Sequence, residues 1–259
     1  MKRALIIYLL ALSLVLCGCA DSNENNGELI TELEGAISSV NSESRVSGSY
    51  MIEITVRGVT LYYAKGNIAF DREEKCAYND FSQTYMGSSA VAQNYYSGGK
   101  LVSVEKSGVN SFDRAPEEIM GKFPYSKLLE LPEGVSGVAE KSSSVGRTVE
   151  LTRNDTKAIC DSVVGESLYT LASVIKKPQT DKTQYGDTKC TYTLKDGKIN
   201  GCRYEFSVTL FDTPAYVPGY SVPESEYTLE LNVVAKVNYD EFGSDVKIAE
   251  FSQDENKES

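Results

Sequence analysis

Cysteine is the residue type in this sequence whose spacing points most directly to chemistry. The chain has 259 residues, with six cysteines and no histidine. Cys190 and Cys202 flank the segment Lys195-Asp196-Gly197, which favours a tight turn between two strands. Counting back from that turn places the two cysteines directly opposite each other, with Cα atoms about 5 Å apart. The sequence therefore predicts a Cys190–Cys202 disulfide, and two buried free thiols are the alternative.

The absence of histidine excludes several classes of site. Histidine is the most frequent general base and metal ligand, so Ser-His-Asp and Cys-His hydrolases and histidine-ligated zinc sites are ruled out. The cysteines show no Cys-x-x-Cys spacing, and the acidic residues form no calcium-binding loop motif. We therefore expect a protein that is not an enzyme and that holds no metal or cofactor. Whether Cys76 and Cys160 pair stays open.

The first residues have the three parts of an export signal. Lys2 and Arg3 precede an apolar run over residues 4–16, and a polar tract follows over residues 20–27. A membrane-spanning helix needs about 20 apolar residues, which is more than this run supplies. The pattern predicts a signal peptide over residues 1–18 that directs the chain across a membrane.

The end of the run, Leu16-Cys17-Gly18-Cys19, resembles the bacterial lipobox, in which a small residue precedes an invariant cysteine. Gly18 before Cys19 fits that motif, whereas the bulky Leu16 before Cys17 does not. The resemblance implies that Cys19 receives a diacylglyceryl thioether and an acyl chain such as palmitate, and that it becomes the first mature residue. It also implies a lipoprotein of the cell envelope, anchored at the extracytoplasmic face of the cell membrane, with residues 19–27 as lipidated cysteine and flexible tether.

The charge of the chain limits its partners. The whole chain carries a formal charge of −11, and removal of Lys2 and Arg3 with the signal leaves −11 − 2 = −13. Nucleic acid binding depends on lysine and arginine that neutralise phosphates, so nucleic acid is excluded as a partner. An acidic surface is also repelled by anionic headgroups, so no electrostatic membrane contact is expected besides the anchor. Partner proteins and the oligomeric state are not predicted.

Hydrophobic periodicity predicts the elements that position these residues. Apolar residues at steps of three and four indicate an amphipathic helix over residues 28–41 and a second helix from Asn154 or Asp155 to Ile175. Residues 107–144 are predicted to be irregular, with Leu128 and its neighbours covering an opening of the sheet. Residues 251–259 are predicted to be a disordered tail. Period-two alternation predicts strands over residues 45–57, 59–70, 76–86, 90–96, 101–104, 145–151, 190–194, 198–210 and 227–239.

Strands of ten or more residues favour a sheet that curls. The predicted fold class is α+β, with a strongly curved antiparallel sheet, or half-barrel, in a single domain over residues 28–250. The N-terminal amphipathic helix has an apolar face to bury. Small residues at inward positions, Ala64, Gly66 and Ala235, favour a cavity inside the curled sheet. Residues 216–220 are either a lid over that cavity or an exposed loop.

This order of elements resembles the LolA and mycobacterial LppX/LprG group of lipoprotein carriers and related lipoproteins of Gram-positive bacteria. The resemblance covers residues 28–250 and includes the Cys19 anchor, the helix before a long strand, the long hairpins and the closing strand. It implies a half-open barrel whose concave side is covered by the N-terminal amphipathic helix and the second helix. Such a barrel holds an acyl chain or another lipophilic ligand and has no fixed catalytic residues. The alternative is a fully packed surface interaction or scaffold module of the cell envelope with no small-molecule ligand.

Overall fold

A twelve-stranded antiparallel sheet runs through the residues that this computed structural model describes, namely 22–116, 118, 125–143, 146–165, 182–211 and 228–252. Helix α1 spans Ser22–Ser42, helix α2 spans Thr156–Val163, and a 3-10 turn covers Gly243–Asp245. The strands are β1 (Arg45–Val56), β2 (Val59–Asp71), β3 (Cys76–Tyr85), β4 (Ser88–Ser97), β5 (Lys100–Glu105), β6 (Gly108–Asp113), β7 (Ser136–Ser143), β8 (Gly146–Arg153), β9 (Gln184–Tyr185), β10 (Thr188–Lys195), β11 (Lys198–Phe211) and β12 (Thr228–Phe242).

The strand order explains how one sheet is built from local hairpins. Strands β1 to β6 pair with their sequence neighbours, as do β7 with β8 and β10 with β11. The last strand, β12, lies between β1 and β11, so the spatial order is β6-β5-β4-β3-β2-β1-β12-β11-β10-β8-β7. The short β9 pairs with β11. Within the described ranges β6 and β7 do not pair, so the sheet stays open, and the predicted α+β half-barrel class is confirmed.

Period-two alternation sorts the residues of this sheet onto two faces. On β12 the alternate residues Leu231, Val233, Ala235 and Val237 are fully buried, and their neighbours along the strand are more exposed. We call the face with these buried residues the inner face. Helix α1 contributes an apolar stripe to the same core, which consists of Leu33, Ala36, Ile37 and Val40. The predicted amphipathic helix is therefore present. The side of the sheet opposite to the inner face is called the outer face.

Both helices differ from their predicted lengths. Helix α1 begins at Ser22 rather than at residue 28, so most of the segment predicted as a flexible tether is helical. The polar composition of residues 22–27 has no apolar period, and periodicity alone therefore could not detect this extension. Helix α2 places Ile159 and Val163 in the core, whereas its predicted continuation to Ile175 lies outside the described residues.

Two strands lie in the stretch that was predicted to be irregular. Strand β6 forms one edge of the sheet and all of its residues are exposed, while β7 forms the other edge. A strand with no buried face needs no alternation of apolar and polar residues, so its sequence resembles a loop. The prediction of an irregular segment over residues 107–144 was therefore wrong for Gly108–Asp113 and Ser136–Ser143.

The predicted register of the two cysteines was also wrong. Strands β10 and β11 join through a two-residue turn that pairs Lys195 with Lys198, and a bulge between Thr193 and Leu194 shifts the pairing further. Cys190 consequently pairs with Tyr204 and Cys202 with Tyr192, so the cysteines lie diagonally on the inner face. Both thiols are free and buried in this structure, which is the alternative that the sequence left open.

Three hydrogen-bonding groups attach the chain around Leu128 to the sheet and to α1. The Asn41 side-chain amide bonds to both backbone polar groups of Leu128. The fully buried Arg153 guanidinium donates to the carbonyls of Leu129 and Glu130. The Tyr239 hydroxyl donates to the Tyr125 carbonyl at 3.0 Å. Leu128 is buried, so this part of the predicted cover packs on the inner face as expected.

Candidate functional site

The small residues of the inner face are closely packed within the described part of the chain. Ala64 and Ala235 are 3% and 0% exposed and lie among buried side chains of the core. At Gly66 the carbonyl oxygen of Asp80 lies 1.9 Å from the position that a Cβ atom would take. This glycine therefore permits a close approach between β2 and β3.

A groove with a volume of about 750 Å³ lies against the outer face. It crosses the sheet from β12 at one end, through β1, β2, β3 and β4, to β5 at the other. The outer-face side chains along it are Ser49, Met51, Tyr63, Lys65, Asn67, Asp80, Ser82, Val91, Gln93, Val104, Lys236 and Asn238. The groove combines charged, amide and apolar groups, so we treat it as the candidate binding site.

Two lysines lie on either side of a methionine in the first row of the groove. Met51 on β1 is in register with Lys236 on β12 and with Lys65 on β2. Adjacent strands lie about 4.8 Å apart, so the Cα atoms of the two lysines are separated by roughly 10 Å. Within the described part of the chain, neither ammonium group has a hydrogen bond or a salt bridge. The row therefore presents two unneutralised cations to the groove.

The second row of the groove is polar. Asn238, Ser49, Asn67, Asp80 and Gln93 lie in register on five successive strands. The Asp80 carboxylate is already engaged, because it accepts hydrogen bonds from the backbone N–H and the side-chain amide of Asn67. Amide and hydroxyl groups dominate the rest of the row, and such groups orient a polar ligand.

The β4–β5 end of the groove is more apolar. Val91 is 63% exposed although it is a branched aliphatic residue, and Val104 lies in the neighbouring row. Lys106 and Glu105 border the same end. An exposed apolar patch rimmed by polar groups is typical of a binding surface. The two lysines that flank Met51 therefore lie toward β12, whereas Val91, Val104 and Lys106 lie toward β5.

The chain end bounds the outer face beside the groove. The Phe251 ring packs on Tyr95 with centroids 5.7 Å apart, and Tyr95 packs on Tyr78 at 5.1 Å. Burial first, and then the nearby Asp80 carboxylate, raise the pKa of Tyr78 to about 12. The phenol therefore stays protonated at neutral pH and can donate to Asp80, whose oxygen lies 3.4 Å away.

The cysteines of the core form no reactive site. Burial raises the pKa of the Cys202 and Cys160 thiols to about 12, and burial followed by the proximity of Cys202 raises that of Cys190. Nucleophilic cysteines need the opposite shift, because the thiolate is the reactive form. In the described part of the chain, no group of three acidic, histidine or cysteine side chains is close enough together to hold a metal ion.

The predicted anchor lies outside the described residues, because Cys19 and residues 1–18 fall within the undescribed start of the chain. The possible lid over residues 216–220 and the tail after Ser252 do so as well. In the described ranges no helix has the length and apolar character that crossing a membrane requires.

No known family model and no curated protein matches the sequence. Solved structures to which the chain is similar include the lipoprotein LppX of Mycobacterium tuberculosis, at 9% identity and a TM-score of 0.41, over 86% of this chain and 99% of that one. They also include a LolA superfamily protein from Nitrosomonas europaea, at 7% identity and a TM-score of 0.27, over 85% and 95% of the two chains. A DUF1329 family protein from Desulfovibrio piger has 10% identity and a TM-score of 0.27, over 86% and 94%.

Two of these structures, the lipoprotein LppX and the LolA superfamily protein, carry names of the group that the sequence resembles. Identities of 10% or less, with TM-scores below 0.5, give no information about the function of this protein. The lysines of the groove were not predicted as site residues. The alternation along β2 and β12 already predicted that Lys65 and Lys236 point outward. An outward lysine on a strand, however, resembles any solvated surface residue.

Proposed function

We propose that this chain is a lipid-anchored lipoprotein of the extracytoplasmic face of the cell membrane that binds a lipophilic ligand and catalyses no reaction. The observation that carries the proposal is the outer-face groove of about 750 Å³. Small-molecule sites in proteins are typically about 300–1,000 Å³ in volume. In this proposal the ligand site is the groove on the face opposite α1.

Burial of apolar surface is the mechanism by which the groove holds a lipophilic ligand. The side chains of Met51, Tyr63, Val91 and Val104 border it and are partly or largely exposed without a ligand. Covering them contributes about 25 cal/mol for each Å² of apolar surface removed from water. No bond is made or broken in this process, which agrees with the absence of histidine from the whole sequence.

The anchor part of the proposal rests on the Leu16-Cys17-Gly18-Cys19 segment. A single acyl chain anchors a protein only marginally, whereas a diacylglyceryl group on Cys19 gives stable attachment. Metabolic labelling with a clickable fatty acid tests this assignment. Cys19→Ala should abolish the label, and the matched variant Cys17→Ala should keep it. Undiminished labelling of Cys19→Ala would refute the anchor.

A second candidate is a surface interaction module of the cell envelope without a small-molecule ligand. It is favoured by the closely packed inner face, where Val208, Leu231 and Ala235 are fully buried. Native mass spectrometry of the exported protein, purified without detergent, separates the two candidates. A co-purifying mass that dissociates as a lipid supports the carrier. A ligand-free mass that stays unchanged after incubation with lipids supports the interaction module.

A further inference from the structure

We infer that the ligand of the groove is an amphiphile with an anionic headgroup, which Lys65 and Lys236 hold between them. This inference rests on the proposed function, because it names the class of ligand for the same groove. The two lysines flank Met51 in one row across three adjacent strands, and in the described residues no carboxylate pairs with either. One anion placed over Met51 is within reach of both ammonium groups.

Charge complementarity supports an anion at this place. The chain carries a formal charge of −11, yet the groove is bordered by three lysines, at positions 65, 106 and 236, and by two carboxylates, of Glu105 and Asp80. Asp80 accepts the two hydrogen bonds of Asn67 and is therefore partly compensated. A locally positive groove in an acidic protein attracts anions that the rest of the surface repels.

The order of groups along the groove fixes the orientation of the ligand. Lys236, Lys65 and the hydroxyl and amide of Ser49 and Asn238 lie toward β12. Val91 and Val104 lie toward β5, three to four strands away from Met51. A headgroup over Met51 therefore directs its acyl chain along the groove toward the exposed valines. A free inorganic anion leaves that apolar end uncovered.

Calorimetric titration of the purified full chain with four probes tests the inference. The probes are myristoyl lysophosphatidylglycerol, which is anionic, the zwitterionic lysophosphatidylcholine and the neutral monoacylglycerol with the same chain, and glycerophosphoglycerol, which is the anionic headgroup without a chain. All amphiphiles are kept below their micelle concentrations. We expect the anionic amphiphile to bind about tenfold more tightly than the other two amphiphiles at low salt. This preference should shrink as salt screens the lysines.

Two variants separate the headgroup from the chain. The double variant Lys65→Gln and Lys236→Gln should remove the preference for the anionic amphiphile. A control with the same change of charge, Lys189→Gln and Lys195→Gln, alters exposed lysines of β10 outside the groove and should retain it. Val91→Asn with Val104→Asn should weaken all three amphiphiles alike, because it removes apolar contacts and no charge.

The possible failures are distinguishable. Equal affinity for the three amphiphiles, unchanged by the lysine variant, overturns the headgroup inference and leaves the proposed function standing. Binding of glycerophosphoglycerol as tight as that of lysophosphatidylglycerol, insensitive to the valine variant, overturns the amphiphile in favour of a free anion. Absence of binding by every amphiphile overturns both the inference and the proposed groove.

Discussion

The side-chain amide of Asn41 pairs with both backbone polar groups of Leu128, because Nδ2 donates to the carbonyl and Oδ1 accepts from the N–H, each at 2.8 Å. We expect Asn41→Ala to lower the free energy of unfolding by about 2 kcal/mol, since two partly buried hydrogen bonds are lost. Urea unfolding followed by circular dichroism measures this change. Ser42→Ala is the control, because the Ser42 hydroxyl bonds only to Ser39 within the helix and is exposed. An equal loss in both variants would contradict a special role for Asn41.

Asn41 also illustrates what the sequence could and could not predict. Its place after the last apolar residue of a helical stripe predicted the end of α1 near residue 41, and the helix ends at Ser42. Its bond to Leu128 joins residues far apart in sequence, and no local pattern encodes such a contact. The long strands β11 and β12 were predicted well because each buries alternate residues on one face.

The failed predictions have equally local causes. Strand β6 buries no residue, so its sequence shows no alternation. The two-residue turn and the bulge between Thr193 and Leu194 together shift Cys190 and Cys202 out of the predicted register. The groove was missed for another reason. Met51 and its two lysine neighbours lie on three strands, and they come together only because β12 returns to pair with β1.

Gly66 should be intolerant of any side chain. The Asp80 carbonyl oxygen lies 1.9 Å from an ideal Cβ position there, so Gly66→Ala forces the backbones of β2 and β3 apart. We expect a loss of about 3 kcal/mol in the free energy of unfolding. Gly35→Ala is the matched control, because Gly35 is an exposed helical residue with open space around it. That substitution should stabilise the protein by about 1 kcal/mol. Thermal unfolding of the two variants should therefore shift in opposite directions.

The buried carboxylate of Asp71 should make stability depend on pH in the acid range. Burial alone would raise its pKa, but hydrogen bonds from the Glu74 N–H, the Arg45 guanidinium and the Glu73 N–H outweigh burial and lower the pKa. A carboxyl group with a lowered folded-state pKa contributes stability above its unfolded pKa of about 3.9, and this contribution is lost as pH falls through the folded value.

Asp71→Asn tests this dependence. The stability difference between the natural protein and the variant should be constant from pH 7 to pH 5 and should narrow below about pH 3.9. Urea unfolding at a series of pH values measures it. Asp240→Asn, at an exposed position of β12, should show little difference at any pH. A gap for Asp71→Asn that stays constant down to pH 3 would show that this carboxylate is not the group responsible.

The described thiols should differ in accessibility. Cys76 is partly exposed, whereas Cys160, Cys190 and Cys202 are buried. Burial is the first cause of a raised pKa in all four thiols, so accessibility is what distinguishes Cys76. With iodoacetamide at pH 8 and no reductant, we expect the folded protein to be alkylated at Cys76 and the three buried thiols to react only after unfolding. Peptide mapping by mass spectrometry locates the labels. Labelling of Cys190 and Cys202 only after reduction would show that they are bridged.

The position of strand β12 determines when the sheet can form during synthesis. This strand lies between β1 and β11, so the middle of the sheet cannot form until residues 228–242 have been synthesised. Before that point, β1 and β11 each lack the partner that β12 provides, and the two halves of the sheet remain separate. Contacts between residues so distant in sequence also form slowly. This topology therefore delays completion of the sheet until its last strand has been synthesised.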